Sequence, residues 1–241
     1  MNGRLTTRER AFRAALGVFL AFVAYHVGLG SSGTEPRVLA WGALVLAVVA
    51  LATAATGDAS RLARVGLDAN WSVGYLAARL YVGWEFLYAG LDKATNSWYS
   101  GAGAGAVKGT LTGAIAQSHA TAANAHPAVA NWFAWVSQHV MMSHSELLSY
   151  LVVTGEICVG IGLIAGLCLR LSAFFGIALN SLFLFAGALG AGLNPEMVLL
   201  GMGVLLGGAP AIYALSVDRF LLTRLRTIHI PVPHLHRHAP A

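Results

Sequence analysis

The sequence predicts an all-α protein, a polytopic helical bundle in a membrane with about six transmembrane helices and an outer loop that contains an amphipathic helix. Three observations predict it. Of the 241 residues, 57% are hydrophobic and only 10% charged, where an ordinary soluble domain is about a quarter charged. The mean hydropathy is +0.67. Several apolar runs approach the ~20 residues that carry a helix across ~30 Å of hydrocarbon.

Hydropathy places the spans at about Phe12–Leu29, Val38–Thr56, Val73–Leu91, Leu147–Leu169, Leu171–Leu189 and Glu196–Leu215. With a cytoplasmic N-terminus, the inner side holds Arg4, Arg8, Arg10, Arg13, Arg61, Arg64, Arg170, Arg219, Arg224, Arg226 and Arg237. The outer side then holds Arg37, Lys93 and Lys108. Eleven against three follows the positive-inside bias and predicts a multi-pass inner-membrane protein with both termini in the cytoplasm. The net charge of +5 is scattered between apolar runs rather than gathered in one patch, so the expected partner is membrane lipid and not nucleic acid. The first span follows a basic segment, as a secretory signal would. Its apolar run is long, however, and no clear A-x-A site follows, so it reads as a span.

Three regions follow from these spans: a two-span extension at 1–72, a four-helix core at 73–217, and a basic, histidine-containing tail at 218–241. The core contains one long connection, the outer loop 92–146, which is too long for a turn. Within it, Ser100–Ala106 reads SGAGAGA, a flexible stretch, whereas Val129, Trp132, Phe133, Val136 and Val140 recur at helical spacing. Trp98, Tyr99, Trp132 and Trp135 form either an aromatic belt at the headgroups or the wall of a site for a lipid-soluble ligand, and the two are compatible.

Charges inside the spans locate the candidate site. Ionisable groups in hydrocarbon cost several kcal/mol unless paired or hydrated, so they face the bundle interior. Arg79 and Glu85 lie in the third span and Glu156 in the fourth. With Lys93 at the outer boundary, Glu85 lies about 12 Å and Arg79 about 21 Å deeper, and Glu156 about 13 Å below the same boundary on the antiparallel helix. Glu85 and Glu156 then share a level with Arg79 beneath them. Such a group either handles protons or pins the two helices together. Arg79 and Glu85 are six residues apart, about 120° out of alignment, so they do not share one stripe.

The remaining reactive groups carry weaker signals. Cys158 and Cys168 stand ten residues apart on one expected helix, about 15 Å along its axis and beyond disulfide reach. Cys158, two residues after Glu156, is either a redox thiol that takes a transient sulfur adduct or a small hydrophobe. His119, His126, His139 and His144 belong to the loop, His144 adjoining the fourth span, and His234, His236 and His238 to the tail. Their spacing matches no metal motif. No bis-histidine haem pattern, iron–sulfur cysteine cluster or Gly-rich dinucleotide loop is present, so any redox partner is a diffusible quinone or a group carried by another subunit. Glycines such as Gly155, Gly160, Gly162 and Gly166 supply surfaces for close helix packing.

Two segments carry a resemblance. RLYVGWEFLYAGLDK over 79–93, then the outer loop, then GEICVGIGLIAGLCLR over 155–170 resemble the DoxX-like membrane proteins, especially the DoxD-type membrane subunit of thiosulfate:quinone oxidoreductase. The matching positions are Arg79, Gly83, Gly90, Lys93, Glu156, Gly160, Leu163, Gly166 and Arg170, and the likeness covers about 75–205. The resemblance implies a membrane subunit that passes electrons from thiosulfate or a related sulfur compound to a quinone, with a partner subunit or a homo-oligomer. In that reading Lys93, Trp98 and His144 bind substrate, Arg79 polarises a quinone carbonyl, and Glu156 and Glu85 relay protons. A non-enzymatic scaffold for a respiratory or redox complex is the competing reading.

Overall fold

The computed structural model describes residues 4–27, 34–68, 71–119, 129–187, 200–201, 203–204 and 211–221. It is an all-α bundle. The α-helices of the described residues include α1 Thr7–Val27, α2 Thr34–Thr56, α3 Ser72–Thr95, α4 Gly101–Ser118, α5 Asn131–Val136, α6 Ser145–Ala165 and α7 Leu169–Phe185, and residues 217–221 are helical as well. Short 3-10 turns lie at Ser60–Val65 and Ala211–Tyr213. Most of the sixth expected span, His126 and the tail histidines lie outside the described residues.

α1 and α2 form an antiparallel hairpin. Thr6 starts it with a reciprocal cap, its hydroxyl accepting the Glu9 N–H at 3.3 Å while the Glu9 carboxylate accepts the Thr6 N–H at 2.5 Å. Leu20, Leu46, Ala47 and Ala50 pack with Val73 and Leu76 of α3 and with Ala214. Phe19, Phe22, Trp41, Val45 and Val48 stay exposed, as suits helices whose outer faces meet lipid. The stretch Arg37–Thr56 is long and apolar enough to cross a membrane, as is the continuous helical run Asn131–Ala165, whereas Leu169–Phe185 is apolar but shorter.

The second pair, α3 and α6, builds the centre. Arg79, Gly83, Phe86, Gly90 and Lys93 follow one another at three- and four-residue spacing and make a single stripe on α3. The opposing stripe on α6 is Ser149, Val153, Glu156, Gly160 and Leu163. Gly160 is where the backbones come closest, since a Cβ there would stand 2.6 Å from the Leu87 nitrogen. α7 closes the core with Leu169 and Ala173 against Val82, Phe86, Val159 and Leu163.

Two expectations need correction here. The fourth span ends at Ala165, because Gly166 turns left-handed with φ 67° and Cys168 begins α7 with φ 47°. The two cysteines are therefore on different sides of a helix break. The SGAGAGA stretch is the first part of a regular helix, α4, because its inner face has something to pack on: Gly103 sits against Trp98 and Ser149, and Ala114 joins Phe133, Val129 and Ala186. On the amphipathic segment, Phe133, Ala134 and Ser137 are buried while Trp132, Trp135 and Val140 face outward. A π-turn at Ser137–Met141 changes the register, which removes Val140 from the buried stripe.

Candidate functional site: the buried ion pair and its aromatic frame

The stripe on α3 ends at Lys93, and there the side chain turns inward. Its Nζ lies 2.8 Å from both carboxylate oxygens of Glu156, forming a buried ion pair. Glu156 is 0% exposed and Lys93 17%, so the pair is reached from the lysine side. Both ions have left water, and their attraction and bidentate hydrogen bonding offset that cost. The register follows from glycine: a Cβ on Gly90 would meet the Glu156 Cβ at 3.1 Å, so Glu156 lies one helical turn below Lys93.

Aromatic rings frame the ammonium. Nζ stands 5.6 Å from the centroid of Trp98 and 6.0 Å from that of Phe183 on α7, within the range of cation–π attraction. Trp98 is held by its backbone. Its N–H donates to the Lys93 carbonyl at 3.1 Å, and its own carbonyl accepts from the buried Ser149 hydroxyl at 2.5 Å. Next door, Tyr99 and Tyr150 stack at 5.6 Å, the Tyr150 hydroxyl donates to the Tyr99 carbonyl at 3.0 Å, and the Tyr99 hydroxyl meets Thr154 Oγ1 at 3.2 Å.

The chain carries a DoxX domain. Residues 74–189, a little under half of the chain, match the DoxX family, whose members are membrane proteins. No curated protein and no solved structure matches the chain. The DoxX domain contains α3 to α7 and with them the whole ion-pair site, while α1 and α2 lie outside it.

Arg79 does not join Glu156. It lies at the other end of the α3 stripe, 1% exposed, and donates to the carbonyls of Ile212 at 3.3 Å, Ala214 at 2.8 Å and Leu215 at 3.0 Å. The physical reason is length: Arg79 and Lys93 are two heptads apart, about 21 Å along one face, and Glu156 lies within one turn of the upper one. Asp218 completes this lower group. Its carboxylate accepts the N–H groups of Cys168 and Leu169, both at 2.9 Å, capping α7, while its own N–H donates to the Gly166 carbonyl at 3.0 Å. Arg79 therefore fastens residues beyond the DoxX domain onto its lower end. Arg79→Lys, which keeps the charge but loses the planar fork, should lower stability by about 1.5–3 kcal/mol in detergent melts; an unchanged melting temperature would remove Arg79 from this role.

The other expected site residues disperse. Glu85 is half-buried on a neighbouring face of α3 and bonds neither Arg79 nor Lys93. His144 is exposed, with Nδ1 2.9 Å from the Val140 carbonyl and 3.0 Å from the Ser143 hydroxyl. Cys158 is exposed on the outward face of α6, about 200° around the helix from Glu156, so a thiol at the buried pair is ruled out by the turn of the helix. Among the described residues no cluster of metal-ligating groups occurs.

Several contributors were not picked out by sequence reasoning. Arg13, counted there only as an inner-side charge, is 2% exposed in α1 and donates to Thr53 Oγ1 at 3.1 Å and the Leu67 carbonyl at 2.7 Å. Ser149 and Phe183 were missed as well. Ser149 was legible, being one helical repeat of seven before Glu156; Phe183 comes from a separate helix and carried no local signal.

Proposed function

We propose that this DoxX protein is the membrane subunit of a quinone-linked oxidoreductase, fed by thiosulfate or a related sulfur compound, in which Lys93 and Glu156 handle the protons. In this reading it is a multi-pass inner-membrane protein with cytoplasmic termini, working with a partner subunit or a second copy. The observation that carries it is the buried carboxylate held by one partly exposed lysine between two rings. A quinone takes up two protons with its two electrons. The residues suit such a guest: Trp98 offers a ring face, the Lys93 ammonium a hydrogen-bond donor, and Glu156 a carboxyl, shielded from bulk water, that carries a proton to the reduced ring. When Lys93 swings toward an arriving oxygen, Glu156 loses its counter-charge and gains affinity for a proton. Reprotonation then runs from the exposed lysine side. Arg79 has no part in this chemistry, because its fork is committed to the carbonyls of Ile212, Ala214 and Leu215, about 21 Å along α3 from Lys93.

The test is purification in mild detergent with sulfur donors and a soluble quinone. Wild-type protein, with its partner, should reduce quinone, and Glu156→Gln should slow turnover about a hundredfold while quinone binding persists, as expected for loss of a proton-transferring group. Equal turnover in Glu156→Gln would overturn the assignment. A scaffold role has its own support, since Arg13, Arg79 and Asp218 all tie separate segments together. Inert protein that co-purifies stoichiometrically with an oxidoreductase would establish that reading instead.

A further inference from the structure

We propose that the groove between the inner ends of α1 and α2 binds one anionic phospholipid, with its phosphate on Arg10 and an acyl chain along an alanine-lined floor. This rests on reading α1 and α2 as membrane spans whose arginine-rich ends lie at the headgroups. The groove measures 490 Å³ and is open to the side, lined by Arg10, Ala11 and Ala14 of α1 and by Leu51, Ala54 and Ala55 of α2. Small side chains leave this trough. Farther along the hairpin it is filled, for a Cβ on Gly17 would stand 2.6 Å from Leu51 Cγ.

Arg10 is prepared for a ligand. Its Nε donates to the Ala54 carbonyl at 2.8 Å and its Nη2 to the Ala55 carbonyl at 3.3 Å, which lays the guanidinium over the C-terminus of α2 beside Gly57. Nη1 makes no hydrogen bond among the described residues, so part of the donor fork is available in a fixed direction. Among the described residues no carboxylate pairs with it. The nearby acids are engaged elsewhere: Glu9 accepts the Thr6 N–H, and Asp58 accepts the Ser60 N–H at 2.8 Å, which holds its carboxyl below the usual range. Arg4 and Arg61, both exposed, lie around Asp58 and add positive field. A phosphodiester bearing an apolar tail matches this charge and shape together, since arginine forks bind phosphate well and basic pockets between membrane helices at the cytoplasmic side suit anionic headgroups.

The test uses full-length protein in nanodiscs of phosphatidylcholine with added phosphatidylglycerol, and native mass spectrometry to count bound lipid. Wild type should retain one phosphatidylglycerol in preference to phosphatidylcholine. Arg10→Gln and Ala11→Phe should each weaken retention about tenfold, the first by removing the fork and the second by filling the groove with the charge intact. Arg8→Gln, outside the groove, should change little, and melting curves identify any variant that has not folded. Retention unaffected by Ala11→Phe, or displacement by inorganic phosphate, would overturn the proposal by reducing it to surface attraction. Release of the protein by alkaline carbonate would separately overturn the membrane reading beneath it, and quinone turnover is scored independently of either.

Discussion

Replacing Lys93 with Met should cost about 3–5 kcal/mol of stability, because it leaves the carboxylate of Glu156, 0% exposed, with no opposite charge. Glu156→Gln should cost less. The lysine it strands is 17% exposed and flexible enough to lift its ammonium toward water or headgroups. The double change Lys93→Met with Glu156→Met removes both desolvation costs and should recover most of the loss, giving a large coupling in a double-mutant cycle. Melting in detergent across the four proteins checks it. Strict additivity of the two single changes would show that the ions do not meet.

A second large effect is expected at the glycine contact between α3 and α6. Gly160→Val places a side chain where even a Cβ would lie 2.6 Å from the Leu87 nitrogen, and backbone cannot move aside as a side chain does. The helices must separate, which loosens both the Gly90–Glu156 register and the ion pair above it. We expect a loss of about 3 kcal/mol or more, at the upper end of overpacking costs. Gly109→Ala in α4 is the contrast. Nothing lies within 4 Å of its added Cβ, so the greater helix propensity of alanine should raise stability by about 0.5–1 kcal/mol. Equal behaviour of the two substitutions would show that the close approach of α3 and α6 is not what holds the centre together.

The sequence by itself determined the all-helical class and the positions of five long helices to within a few residues at most ends, because burial of a helix in an apolar medium demands long unbroken apolar runs that composition displays directly. It also marked Arg79, Glu85 and Glu156 as charges inside the core helices, with Lys93 at their outer boundary, since apolar surroundings make each ionisable group conspicuous. The tertiary structure decided how these charges divide. Helical rise alone put Glu156 level with Glu85, whereas the contact of Gly90 with Glu156 raises it to within one turn of Lys93 and leaves Arg79 to the carbonyls of 212–215. A register between two helices depends on which small residues meet, and that is a property of two surfaces together. The same reason hides Phe183 and Asp218, which reach their groups from distant segments, and makes a helix of the glycine-rich α4: its local preference is for flexibility, and only packing against Trp98, Ser149 and Phe133 overrides it.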